Sequence, residues 1–245
     1  MGRQDNVEIF EDTQRLYSSN ERLIDAIKHS GAAQECFTGT GRCWYGPEHR
    51  IYQNPAQTVI SSKRTLEAAA PYAYAGKKVC ILNFASATNP GGGVTKGSSA
   101  QEEAICRCST LYANLKEQYA WNAFYAPHRR AHDPLHNDDC IYTPGVMVFK
   151  SDTDYPQLLP EEKWYSVNVL TCAAPNLRER PSNEMNAGVM GMPPCISAGK
   201  TCKSCMKNGC VGCWKSHGEN EMRLSSLEPL AAVHSVTRRR LWRRQ

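Results

Sequence analysis

No stretch of the 245-residue chain approaches the roughly 20 consecutive apolar residues that a membrane-spanning helix needs. The first residues show no charged, apolar, small-residue succession of a secretory leader. The start Met-Gly-Arg-Gln-Asp-Asn also lacks the Ser or Thr at position six that myristoylation requires. No internal repeat is evident, which excludes a solenoid or propeller. These absences predict one sizeable cytoplasmic domain with no membrane partner. Both common nucleotide loops are missing too. Lys96 precedes Gly97, so no Gly-Lys-Ser/Thr run places a lysine on a phosphate. Gly91 and Gly93 fit the first and third positions of a dinucleotide fingerprint, but the sixth is Lys96.

What is present is concentrated in Asn89–Tyr112. Three consecutive glycines, Gly91 to Gly93, are followed after seven residues by Gln101, Glu102 and Glu103. The apolar run from Val79 to Phe84 before them reads as a buried strand. Ile105, Cys108, Leu111 and Leu115 after them recur at helical spacing. Strand, glycine loop and helix in that order aim backbone N–H groups and a helix N-terminus at an anion. Two carboxylates there are electrostatically awkward. A capping box, with Ser99 as N-cap and Glu102 three residues on, accounts for Glu102 alone. It leaves Glu103 and the entropically costly triple glycine unexplained.

The spacing of GGG and QEE resembles the motif of poly(ADP-ribose) glycohydrolases. The flanking NFASATNPGGG and QEEAICRCSTLY are similar to the short microbial type. Cys140–Lys150 and Val167–Arg178 are similar to its later strands, so the likeness covers roughly residues 10–188. The resemblance implies an α/β protein: a macrodomain-like three-layer α/β/α arrangement with a mixed sheet, incomplete at the C-terminus of this chain. It implies hydrolysis of ribose–ribose O-glycosidic bonds, with poly(ADP-ribose) or an ADP-ribosylated protein as partner. By the same resemblance Glu103 is the general acid/base and Glu102 orients ribose hydroxyls. Gly91, Gly92, Gly93, Gln101, Asn83 and Asn89 then line or support the substrate. Such chemistry passes through an oxocarbenium-like state and needs a proton donor rather than a metal or cofactor. Adjacent like charges raise the pKa of at least one carboxyl. A non-catalytic ADP-ribose binder and an inactive product are the alternatives.

The end of the chain departs from that family. A strand and second glycine loop of the type VVILGAFGCGAF-x-NPPEVVA should clasp the diphosphate, yet the chain closes with LSSLEPLAAVHSVTRRRLWRRQ. Reading each codon from its third base into the next two restores the expected string from Arg223 to Trp242. Ala231 to Ser235, for example, permits Cys-Gly-Ala-Phe. Thr201 to Ser216 likewise permits an amphipathic helix. The expectation is a frame slip between about Asn186 and Thr201. Residues 1–188 then form the catalytic domain, and 189–245 a non-family, poorly ordered tail.

The slip also explains the composition. Residues 189–245 hold ten Lys/Arg against three Asp/Glu, so the chain's +5 charge comes from the tail. The body is left at −2, which argues against DNA as partner. Twelve cysteines are many, and Cys202, Cys205, Cys210 and Cys213 mimic paired zinc knuckles. Their four-residue central gap is short, and a shifted frame creates them without any metal. Cys36, Cys43, Cys80, Cys106, Cys108, Cys140 and Cys172 are scattered, as reduced thiols rather than a disulfide framework would be.

Further patterns predict a helix over 8–31, strand and loop over 32–62, and a short helix over 65–70. A helix follows over 100–118, continuing to Phe124. Strands are predicted near 141–149 and 166–173, with a connection over 152–165. Residues 126–139 are predicted to be a surface loop. His128, His132 and His136 share four-residue spacing there, but Pro127 and Pro134 break any helix that would align them for a metal.

Overall fold

The computed structural model describes residues 2–38, 57, 59–133, 136–137, 139–173 and, by backbone only, 231–233. The chain opens with helices α1 (Arg3–Ser19) and α2 (Glu21–Ala32). The single helix expected over 8–31 is therefore two, because Asn20 accepts the Leu23 N–H at 3.2 Å and caps a new start. Strand β1 (Glu35–Phe37) comes next, then α3 (Thr65–Tyr74) and β2 (Val79–Ala85). Helix α3 runs past the expected Ala70 and tolerates Pro71 within it.

The long helix expected from 100 is also divided, into α4 (Gln101–Cys108) and α5 (Leu111–Leu115). Ser109 bridges to Val148, and the Cys108 carbonyl accepts the N–H groups of Phe149 and Lys150. A strand end thus competes successfully for the backbone that would have continued the helix. The next helical stretch comprises α6 (Gln118–Ala120), a π turn over Trp121–Tyr125, and α7 (Ala126–Ala131). The first part of the expected 126–139 loop is therefore helical. The widened π turn immediately precedes Pro127, where the missing N–H would otherwise leave a gap in the ladder.

Strands β3 (Cys140–Val148), β4 (Tyr165–Ala173) and β5 (Ala231–Val233) follow, and the described residues form a five-stranded sheet in the order β1-β3-β4-β2-β5. β1, β3 and β4 pair antiparallel, while β4, β2 and β5 pair parallel, so the sheet is mixed as expected. A bulge between Thr143 and Val146 admits Pro144 and Gly145 (φ 67°) into β3.

Alternation sorts the strand residues onto two faces. Val79, Ile81, Val146, Val148, Val167 and Val169 pack against Phe10, Leu66, Ile105, Leu111 and Phe124 of the helices. Cys80, Cys140, Leu170 and Cys172 form a separate cluster on the opposite face, flanked by half-buried Phe37, Leu82 and Tyr142. The described helices cover the first face, and the second helical layer of the expected sandwich falls outside the described residues. So do the Cys202–Cys213 spacing, the bulk of the tail and residues 39–56 of the stretch expected to be strand and loop over 32–62.

Candidate active site

Strand β2 delivers the chain to Ser86 at its carboxyl end, and helix α4 returns from Gln101. The intervening loop is a succession of tight turns. The Gly92 N–H donates to the Asn89 carbonyl at 2.9 Å, with Pro90 and then Gly91 (φ 67°) at the centre. Proline followed by a positive-φ residue is what a type II turn requires. Gly92 (φ 60°) and Gly97 (φ 71°) keep the loop folded. A Cβ on Gly92 would lie 2.6 Å from Glu103 Oε1 and 2.9 Å from Glu102 Oε2. A Cβ on Gly91 would meet the Tyr112 ring at 2.7 Å. The glycines therefore hold the backbone directly against both carboxylates.

Glu102 and Glu103 lie in the first turn of α4 and are only 4% and 7% exposed. Each uses one oxygen to grip the loop. Glu102 Oε2 accepts the Ser86 N–H at 2.8 Å, and Glu103 Oε1 accepts the Gly93 N–H at 2.8 Å. Glu102 Oε1 and Glu103 Oε2 are buried with no hydrogen-bond partner. Orphaned polar atoms of this kind cost about 1–3 kcal/mol each. Burial first, and then the adjacent Glu103 charge, push the Glu102 carboxyl from its ordinary 4.5 up to about 8. The Ser86 N–H and the Asn83 amide oppose that rise. The capping-box expectation fails: the N-cap is Ala100, with no side-chain cap, and Glu102 reaches across to β2 instead of back along its own helix.

The other expected site residues divide by function. Gln101 is a clamp: Oε1 accepts the Phe84 N–H at 2.8 Å, and Nε2 donates to Leu82 O at 2.8 Å and Thr65 Oγ1 at 3.0 Å. With both amide protons engaged inside the protein, it pins α4 to β2 rather than presenting donors to a ligand. Asn83, fully buried, donates to Thr171 Oγ1 at 3.2 Å and leaves its Oδ1 unpartnered. Asn89 holds the turn through its carbonyl and backbone N–H.

Two arginines went unnoticed in the sequence. Arg107 is 3% exposed and donates from Nη1 to Ser98 O at 2.6 Å. Its place four residues after Glu103, on one helix face, was a usable signal. Arg129 lies over the Trp121 ring at 5.3 Å and donates to Thr88 O at 3.1 Å, tying α7 to the loop. No local pattern announced that contact. The histidine expectation also needs correction, because His128 is buried rather than at the surface. It hydrogen-bonds the Phe124 carbonyl and Asn137 Oδ1, a satisfied core histidine. Among the described residues no group of three or more His, Cys, Asp or Glu could hold a metal ion.

The sequence model described as microbial-type PARG, catalytic domain, matches residues 4–151, more than half the chain. Among solved structures, the poly(ADP-ribose) glycohydrolase of Thermomonospora curvata is similar, with 27% identity and a TM-score of 0.69. That match covers 93% of this chain and 78% of the other. The same enzyme bound to the inhibitor ADP-HPD matches at 28% identity and TM-score 0.64, covering 93% and 77%. The Deinococcus radiodurans poly(ADP-ribose) glycohydrolase in complex with ADP-ribose matches at 28% identity and TM-score 0.54, covering 78% and 72%. No curated protein sequence matches. The glycine loop, the buried acidic pair and these likenesses agree: the chain belongs to the microbial-type poly(ADP-ribose) glycohydrolase family, glycosidases that hydrolyse ribose–ribose O-glycosidic bonds.

Proposed function

We propose that Glu103 is the general acid/base of poly(ADP-ribose) hydrolysis in this chain, with Glu102 binding ribose hydroxyls beside it. The supporting observation is the pair of buried carboxylates crowded on Gly92, each with one oxygen tied to the loop and one unpartnered. A fold tolerates two such orphans where a ligand completes them. Glu103 would protonate the leaving ribose oxygen as the C1–O bond breaks, then take a proton from the attacking water. Gly91, Gly92 and Gly93 let substrate approach backbone N–H groups without an intervening Cβ. Asn83 supports Glu102, Asn89 shapes the loop, and Gln101 keeps the helix in register with β2. The reaction so written calls on no metal or cofactor.

The substrate in this reading is poly(ADP-ribose) or an ADP-ribosylated protein, met in the cytoplasm by a macrodomain-like domain with no affinity for DNA. Substituting Glu103→Gln tests the assignment. Turnover is expected to fall on the order of 10²–10⁴-fold, with ADP-ribose binding retained by calorimetry. Unchanged hydrolysis would remove Glu103 from the role.

A second reading is favoured by one observation, the absence of the second glycine loop from residues 189–245. In that reading the written chain is a frame-slipped product that binds ADP-ribose without turning it over, or does neither. Resequencing the gene across the codons for 186–201 decides it. An uninterrupted frame, with the tail confirmed by mass spectrometry, excludes the slip. If the slip is real, the frame-restored protein should melt higher than the written chain and hydrolyse polymer that the written chain leaves intact.

A further inference from the structure

Helices α6 and α7 and the π turn between them form one continuous helical stretch from Gln118 to Ala131. In a regular α-helix Arg129 would stand about 80° round the axis from Trp121, eight residues earlier. The π turn over Trp121–Tyr125 takes up one residue more than an α turn. The pair therefore stands as residues seven apart normally do, two turns apart on one face. Long side chains on a helix lean towards its N-terminus, and Arg129 lies back over the Trp121 ring, its Cζ 5.3 Å from the centroid. No carboxylate pairs with Arg129 among the described residues. Its Nη1 instead donates to Thr88 O at 3.1 Å and to Asn89 Oδ1 at 3.4 Å. A planar guanidinium can lie flat on a ring while its edge donates, and an ammonium offers no such plane.

The two acceptors belong to a turn that ends on Glu102. Ser86 Oγ accepts the N–H groups of Thr88 and Asn89 at 3.3 and 3.2 Å, which closes residues 86–89 into a compact unit. The Ser86 N–H, at the start of that unit, donates to Glu102 Oε2 at 2.8 Å. Arg129 thus holds one side of a turn whose other side holds Glu102. Glu103 is tied to a different stretch. Its Oε1 accepts the Gly93 N–H at 2.8 Å, and the Ser98 N–H closes back on the Gly93 carbonyl at 3.1 Å. That stretch is gripped from elsewhere, by Asn6 Nδ2 on Gly97 O at 3.0 Å and Arg107 Nη1 on Ser98 O at 2.6 Å. The two acids are anchored to opposite ends of the glycine loop, and Arg129 reaches the Glu102 end.

We propose that Arg129, steadied by the Trp121 ring, is a positioning residue for Glu102. It fixes the Ser86 N–H against Glu102 Oε2, so that Oε1, which has no hydrogen-bond partner, meets the ribose hydroxyls in one orientation. This deepens the glycohydrolase reading and rests on it. Arg129 acts through the turn and touches neither the ribose nor the breaking bond. Loss of either member of the stack lets residues 86–89 move and spreads Glu102 over several orientations, which must be narrowed again when ligand binds.

Amide hydrogen exchange in the full, ligand-free chain reads this coupling without turnover. Arg129→Met should speed exchange at Ser86 about tenfold and leave Gly93 unchanged. Trp121→Leu should do the same, while Trp121→Phe, which keeps an aromatic face, should not. In a Glu102→Ala background Ser86 has already lost its acceptor, so Arg129→Met should add nothing there. Calorimetry with ADP-ribose should repeat the cycle: Arg129→Met weakens binding about tenfold in the otherwise unaltered chain and not in Glu102→Ala. Native Ser86 exchange in Arg129→Met overturns the proposal. So do equal accelerations at Ser86 and Gly93, the mark of general loosening, and affinity losses that add in the double variant, the mark of a direct contact between Arg129 and ligand. Should Arg129→Met fail to fold, Trp121→Leu against Trp121→Phe decides by the same Ser86 readout. A chain that binds no ADP-ribose, or hydrolysis retained in Glu103→Gln, would instead count against the glycohydrolase reading, while the Ser86 cycle still judges the role of Arg129.

Discussion

Among the described residues, the starts of α3 and α4 both have carboxylates buried against them, and they are built for different ends. At α3, Asp152 is 8% exposed, accepts the Leu66 N–H at 3.1 Å and faces the Arg64 guanidinium at 3.9 Å. Its carboxyl is raised by burial, but the Leu66 hydrogen bond and the Arg64 charge pull it back. At α4, Glu102 and Glu103 are as deeply buried, stand side by side and form no ion pair among the described residues. Both sites spend a carboxylate oxygen on a backbone N–H, so burial and helix position do not separate structure from chemistry. The separation lies in like charges brought together and in backbone without Cβ laid against them. A single acid with a base beside it closes a structural corner. Asp152 Oδ1 also lacks a hydrogen bond, but it faces the Arg64 guanidinium, whereas the free oxygens of the paired acids have no ion-pair partner among the described residues.

That contrast can be broken from either side. The largest effect is expected at Gly92. Alanine there would need φ near 60° and would force its Cβ onto both carboxylates. The backbone alone costs roughly 1–2 kcal/mol, and an ångström-scale displacement of the acid lowers kcat on the order of 10²-fold. A Gly92→Ala protein with native kcat would show that the cradle is ordinary turn chemistry. Asp152→Ala should do the opposite. It strands the buried Leu66 N–H, costing about 1–3 kcal/mol, seen as a lower urea midpoint at unchanged slope. Residual activity of the folded fraction should be native. A selective loss of turnover in that variant would erase the distinction between the two acidic corners.

Much of the α4 corner was legible in one dimension. The strand before it, the glycines and the acidic pair are contiguous, and strand-to-helix loops put such a run at the carboxyl end of β2 without any long-range information. Cys140–Val148 and Tyr165–Ala173 could be read from apolar, β-branched runs for the same local reason. What stayed hidden depends on contacts between distant segments. Helix 101–115 breaks at Ser109 because Val148 bridges to it from 39 positions later. Gln101 looked like a ligand residue because its three partners lie on β2 and α3. Glu102 mimicked a capping box, since the pattern Ser-x-x-Glu cannot reveal that its carboxylate reaches Ser86. His128 was misjudged because Pro127 is a breaker in a regular helix but fits behind a π turn. The Asp152 corner offered no signal at all, being an isolated acid that meets α3 from 86 residues away.

Stability against pH separates the two corners without any substrate. Glu102 is pushed from 4.5 to about 8 on folding, so between those values the folded chain holds a proton that the unfolded chain has released. The native state then binds more protons, and stability falls as pH rises from about 4.5 towards about 8, levelling above it. Glu102→Gln cannot ionise and should flatten that part of the curve, with its largest gain over the unaltered chain at pH 8 and above. Thermal melts at half-unit pH steps measure it. Asp152 shifts in the same direction but with Arg64 opposing, so Asp152→Asn should change the slope less, and at lower pH. If both variants remove equal slope, the lone acid and the paired acids are electrostatically alike, and like-charge crowding is not what sets the α4 corner apart.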